Sequence, residues 1–250
     1  VPPKKQKKSS ANSARKVNAL IFGPSGHGKT HFLGTAVLDE RTCPIAIIDF
    51  EGGVLDVLTG LKGEGTDWVH IPVRTWADYN EAYERLRSND EGFKSAGIDS
   101  LSEFHIFILM ELLDEFKDKR EAKGDHPDLV QQGDYGVGLT QLRRAVRYLR
   151  DLPLHTFYTS LPKDDTDPRE GLIKTVNMAG RAATEIPGLM TAVGYLALTE
   201  SEEGETQRML LLQNYAKIRT KVRTPWGVVP PDELGPDPTV TTLLDALQYE

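Results

Sequence analysis

The segment Gly23-Pro24-Ser25-Gly26-His27-Gly28-Lys29-Thr30 matches the pattern G-x-x-x-x-G-K-[ST] in full. The chemistry such a segment can do is recognition of a nucleoside triphosphate. Glycines let the backbone wrap phosphate oxygens with inward-pointing N–H groups. Lys29 is placed to reach the β and γ phosphates, and the Thr30 hydroxyl to hold Mg²⁺. His27 is a variable position that gives only its backbone donor. Guanine-reading proteins of this class carry an Asn-Lys-x-Asp segment. The nearest approach here, Pro162-Lys163-Asp164-Asp165, lacks the Asn and the spacing. ATP is therefore the expected nucleotide.

Hydrolysis also needs a carboxylate in the metal shell and another to polarise water. Ile45-Ala46-Ile47-Ile48-Asp49-Phe50-Glu51 is an apolar run that ends in two acids. If the strand continues, alternation puts Asp49 and Glu51 on one side, facing the same water. Ala96-Gly97-Ile98-Asp99-Ser100 is a second, less apolar run that ends in Asp-Ser. Asp49 and Asp99 thus compete for the metal side.

These residues need strands that bring them to one edge. Val17 to Phe22 reads as a buried strand entering the glycine loop, and Lys29 to Leu38 as the helix that follows. Further strands are expected at Pro44 to Ile48, Trp68 to Val73 and His155 to Thr159, with the proline placing the second of these near an edge. Helical spacing recurs over Trp76 to Leu86, Glu103 to Arg120 and from Asp134 onward, with a Gly-rich connector before Trp68. A polar loop is expected from Lys163 to Lys174, and an antiparallel hairpin from Ala192 to Leu198 and Arg208 to Gln213. Alternating strands and helices followed by a hairpin give an α/β fold: a mostly parallel central sheet flanked by helices, with an antiparallel hairpin extension. The expected organisation is a basic, flexible tail at 1–16, a nucleotide-binding domain at 17–223 and an irregular Pro-rich C-terminal extension at 224–250 with a short helix.

The P-loop, the strand ending in Ile-Asp-Phe-Glu and the later Ile-Asp-Ser-Leu together resemble the ATPase core of RecA-like recombinases and related phage nucleotide-binding proteins, among them single-strand annealing ATPases. The resemblance covers roughly Val17 to Arg223. It implies a RecA-like P-loop NTPase fold, with Glu51 as the base that activates water and Asp99 as the Mg²⁺-shell acid. It makes Thr159 and Ser160, at the end of the next strand, the sensors of the γ-phosphate. In RecA-like assemblies basic residues late in the chain reach a neighbour's nucleotide, which points to Lys217 and Arg219 as trans fingers. The segment from Lys163 to Arg181 corresponds by order to the loop that grips DNA, although Asp164, Asp165, Asp167 and Glu170 oppose phosphates there. The implied partners are single-stranded DNA, further copies of the chain and a phage replication or single-strand-binding protein, in the host cytoplasm. Two other readings stay open: an ATP-dependent switch or loader docking on a replication or packaging protein, and a small-molecule kinase.

Lys217, Arg219, Lys221 and Arg223 alternate, so an extended chain would align them as a ladder. Arg143, Arg147 and Arg150 share one helix face, with Arg144 adjacent, in the pattern of a solvated surface. The chain has 250 residues and ordinary globular composition, with 39% hydrophobic and 27% charged residues. Its net charge of −7 includes six cations in the first 16 residues, leaving −13 on the rest. DNA would have to meet the tail or a local basic surface. No stretch has the length and apolarity of a membrane span, and the single Cys43 forms no internal disulfide, which makes a reducing cytosol the expected compartment.

Overall fold

The computed structural model describes residues 15–213, 215 and 217–249. Lys4, Lys5, Lys7 and Lys8 of the basic tail lie outside the described residues. The central sheet is laid down from β1 (Asn18–Phe22), β2 (Ile45–Asp49), β3 (Trp68–Pro72), β4 (Ser95–Asp99) and β5 (His155–Ser160). Later come β8 (Ala192–Glu200), β9 (Thr206–Leu211), β10 (Lys221–Val222) and β11 (Glu233–Leu234). Neighbours run β11-β9-β8-β1-β5-β4-β2-β3, with β10 paired to β8. All pairings from β8 to β3 are parallel, whereas β9 joins β8 as the antiparallel hairpin. This is the expected α/β class, a mostly parallel central sheet flanked by helices with an antiparallel hairpin extension.

Helices cover both faces, and β1, β2 and β5 are buried at every position, as strands sandwiched on two sides must be. One face of the sheet, with Leu20, Phe22, Ile48 and Ile98, packs against α3 (Trp76–Ser88), α4 (Leu101–Glu121), α5 (Gln132–Arg150) and α6 (Ala182–Leu189). The alternate residues Ala19, Ile21, Ile45 and Ile47 pack on α1 (Lys29–Gly34), α2 (Val54–Leu58) and α7 (Val240–Ala246). The Pro-rich C-terminal stretch, expected to be irregular apart from its helix, instead supplies β11 to the sheet by pairing with β9, and α7 to a core.

β4 is less apolar in sequence than β1 and β2, yet all five of its residues are buried. Its small residues answer a crowded position. A Cβ on Gly97 would lie 3.4 Å from both Ile47 and Leu33, so β4 passes beneath α1 only with little side chain.

Four local expectations need correction. The helix from Lys29 gives way at Thr35 to a 3₁₀ turn (Thr35–Leu38), where the Thr35 hydroxyl donates to the Phe32 carbonyl at 2.6 Å. The Gly-rich connector contains α2. The polar segment from Lys163 is a hairpin, β6 (Pro162–Asp167) and β7 (Gly171–Val176), in which Asp164 faces Lys174 across the strands at 2.7 Å. The cation ladder does not form, because Lys217 turns at φ 68° and only Lys221 and Val222 of this stretch join the central sheet as a strand.

Candidate nucleotide and catalytic site

β1 ends at Phe22, and Gly23 donates its N–H to the Ser160 carbonyl of neighbouring β5 at 3.2 Å, so the P-loop starts at the sheet's C-terminal edge. Gly26 and Gly28 hold φ of 80° and 90°, a region open to glycine and strained for other residues. Gly28 caps α1 without a side chain, which keeps the first-turn donors clear of a competing acceptor. The Lys29 ammonium curls back and donates to the Gly23 and Pro24 carbonyls, each at 2.9 Å. Burial lowers its pKa, and the nearby Glu51 and Asp99 charges act the other way. His27 holds its ring against the Leu196 carbonyl at 3.2 Å, a side-chain anchor to β8 that the sequence did not reveal.

Parallel register brings the acids level. Asp49 faces Asp99 across β2 and β4, while Ile21 and Phe22 face Thr159 and Ser160 across β1 and β5. The Thr30 hydroxyl donates to Asp99 Oδ2 at 2.7 Å, and the Thr159 hydroxyl donates to Asp99 Oδ1. Burial raises the Asp99 pKa, and these two hydroxyls pull it back.

Asp49 is fully buried and engaged otherwise. Its Oδ1 accepts the Glu51 and Gly52 N–H groups at 3.0 and 2.6 Å, and its Oδ2 accepts Val54 N–H at 3.4 Å and His70 Nε2 at 2.9 Å. Asp49 therefore builds the turn that follows β2. Glu51 lies beyond the strand on that turn and is exposed, so the expectation that both acids face one water is corrected: one points into the protein and the other out. Partial burial raises the Glu51 pKa, and the Asp99 charge adds to this while Lys29 opposes it.

Ser160 exchanges a hydrogen bond with the Ser102 hydroxyl at 3.0 Å. Arg219 pairs with Asp167 at 2.8 Å and Glu170 at 3.0 Å of its own chain. Lys217 is exposed on the turn before it. Sequence reasoning missed two residues here. His70 fixes Asp49 from 21 positions away. Arg208 on β9 lies over the loop, with its Nε 2.5 Å from where a Gly28 Cβ would stand and its Nη1 3.1 Å from Asp237. Neither belongs to a motif.

The donor set suits a magnesium nucleotide. Among the described residues no group of three or more His, Cys, Asp or Glu forms a metal cage. The Thr30 hydroxyl and Asp99 carboxylate are the sparse oxygen set with which Mg²⁺ is held when phosphates and water complete its shell. No helix among the described residues is long and apolar enough to cross a membrane.

Among solved structures, a KaiC-like protein from the hyperthermophilic archaeon Pyrococcus horikoshii is similar at 15% identity, over 83% of this chain and 82% of that one, with a TM-score of 0.48. No curated protein matches the chain. The family model described as AAA domain matches residues 15–224, which span the loop, the three acids and both hairpins. The chain belongs to the AAA domain family, and with it to the P-loop ATPases.

Proposed function

We propose that this chain is a Mg²⁺-dependent ATPase that acts on single-stranded DNA in phage-type recombination or annealing. The observation that carries the catalytic part is the 2.7 Å bond from Thr30 to Asp99, which joins the P-loop to the end of β4 where a metal-shell pair is needed. Mg²⁺, when bound, neutralises phosphate charge and orients the triphosphate. Lys29 leaves its loop carbonyls for phosphate oxygens, and Thr30 and Asp99 hold the metal side. Glu51, aimed by the turn on Asp49, accepts the hydrogen bond of the attacking water. Its raised pKa suits a base that must take and return a proton. Thr159 senses the γ-phosphate through its bond to Asp99. Lys217 and Arg219 act across an interface between copies, which requires Arg219 to leave Asp167 and Glu170.

The DNA role is supported by the likeness of the Ile-Asp-Phe-Glu and Ile-Asp-Ser-Leu segments to annealing and recombination ATPases. The experiment is ATP hydrolysis with and without single-stranded DNA at two salt concentrations, with Lys29→Ala as control. Salt-sensitive stimulation that disappears in the control is expected. Tight ATP binding without DNA stimulation would refute the DNA role and favour a nucleotide switch that docks on a protein.

A further inference from the structure

The hairpin expected to grip DNA has most of its cations engaged, with Arg169 at its exposed turn the exception. Lys174 is on Asp164, Arg219 is on Asp167 and Glu170, and Lys163 donates to the Met178 carbonyl at 2.6 Å. A pair of neighbouring cations free of ion pairs sits on α5. Arg143 is tied to Glu185 at 2.5 Å, but Arg144 and Arg147 are exposed and have no ion pair among the described residues. They stand out on a chain that carries −13 beyond its tail.

These arginines line a groove of about 460 Å³ with Tyr148. A second groove of about 400 Å³ lies between α5 and α3, and Arg144 and Tyr148 line both. Arg144 and Tyr148 are therefore the wall that the two grooves share. Tyr148 is 51% exposed, and its ring lies 5.9 Å from that of Tyr83. Asn80 and Gln141 add amide donors and acceptors to the same walls. Glu84, the carboxylate in this lining, is held by Arg87 at 2.5 Å. Cations, a propped aromatic face and neutral amides are the chemistry of a single nucleic-acid strand, whose phosphates need charge and whose bases stack without regard to sequence. An acidic peptide would use the arginines and leave the ring idle.

We propose, resting on the reading that this ATPase works on single-stranded DNA, that the α3–α5 face is where the strand lies, with phosphates on Arg144 and Arg147 and a base on Tyr148. The test is fluorescence anisotropy of a labelled oligothymidylate against the full chain across a salt series. Arg144→Ala with Arg147→Ala should reduce the salt slope of log K by about 1.4, for two lost phosphate contacts. Tyr148→Ala should weaken binding roughly 5- to 140-fold, and Tyr148→Phe should retain it. ATPase activity without DNA should be unchanged in all three, which shows that each variant folds. Equal binding by wild type and variants would overturn the surface and leave the DNA role standing on the hairpin or the tail. No binding by the wild type at low salt would overturn both. Binding of polyglutamate instead of DNA, lost in the arginine variant, would overturn it in favour of an acidic protein segment.

Discussion

The bond from Thr159 to Asp99 can be removed almost without changing shape, by Thr159→Val. Both residues are buried, Thr159 at 0% and Asp99 at 1% exposure, so water cannot replace the lost donor. Asp99 Oδ1 then has no side-chain donor, while Oδ2 keeps Thr30. A hydrogen bond to a charged group contributes about 1.5–3 kcal/mol. For a chain of this size that corresponds to a melting temperature lower by roughly 3–12 °C. The dependence on pH has a definite sign. Burial raises the Asp99 pKa, so this group weakens the fold as pH rises through its titration, and the Thr159 bond offsets part of that cost. The deficit of the variant should therefore be largest where Asp99 is ionised and fade as acid protonates it. Thermal melts of wild type, Thr159→Val and Thr159→Ser from mildly alkaline to mildly acidic pH measure this, with the serine variant expected to recover most of the loss. Superimposed alkaline melts, or a deficit independent of pH, would refute the argument.

Glu51→Gln should lower turnover by about 10²- to 10⁴-fold while a fluorescent ATP analogue still binds, and turnover near wild type would remove Glu51 from the mechanism. Gly28→Ala must hold φ 90° and place a Cβ 2.5 Å from Arg208 Nε. The expected cost of about 1–2 kcal/mol in backbone alone should appear as lost nucleotide affinity in calorimetry, and unchanged affinity would mean that the loop can take another path. His155 is held neutral because its Nδ1 accepts the Val17 N–H at 3.2 Å, and burial lowers its pKa to about 4. Between pH 6.5 and about 4 the unfolded chain binds the extra proton, so acid should remove about 3 kcal/mol of stability. Urea titrations across that window should show this slope in the wild type and a flatter one in His155→Asn.

How much of this was legible depends on how local each feature is. The P-loop could be read because its eight residues are contiguous and its strand and helix flank it directly. The choice between Asp49 and Asp99 could not, because both end strands at the same level and only the order of those strands decides which one meets Thr30. β4 read as a weak strand because its small residues answer Leu33 and Ile47, which are distant in sequence. The hairpin of β6 and β7 read as a loop because it buries little, and Pro162 to Asp167 carries no alternation of apolar and polar residues. The ladder at Lys217 to Arg223 failed because alternation in sequence means one face only in extended backbone, and Lys217 is not extended.

The three acids differ in what the fold has already given them, and that difference orders their roles. Asp49 receives three backbone N–H groups and the His70 ring, so its charge is fully used inside the protein. Asp99 receives one hydroxyl on each oxygen, from Thr30 of the P-loop and Thr159, which orient it and leave each oxygen able to accept again. Glu51 has no side-chain hydrogen bond among the described residues and stands exposed at the rim. A metal shell needs a fixed carboxylate with spare acceptor capacity, and a base needs one that is free to take a proton. On the proposed reading, exchanging the roles of Asp49 and Asp99 would require breaking the turn that carries Glu51, so the hydrogen bonds that hold Asp49 away from the metal would also aim the base.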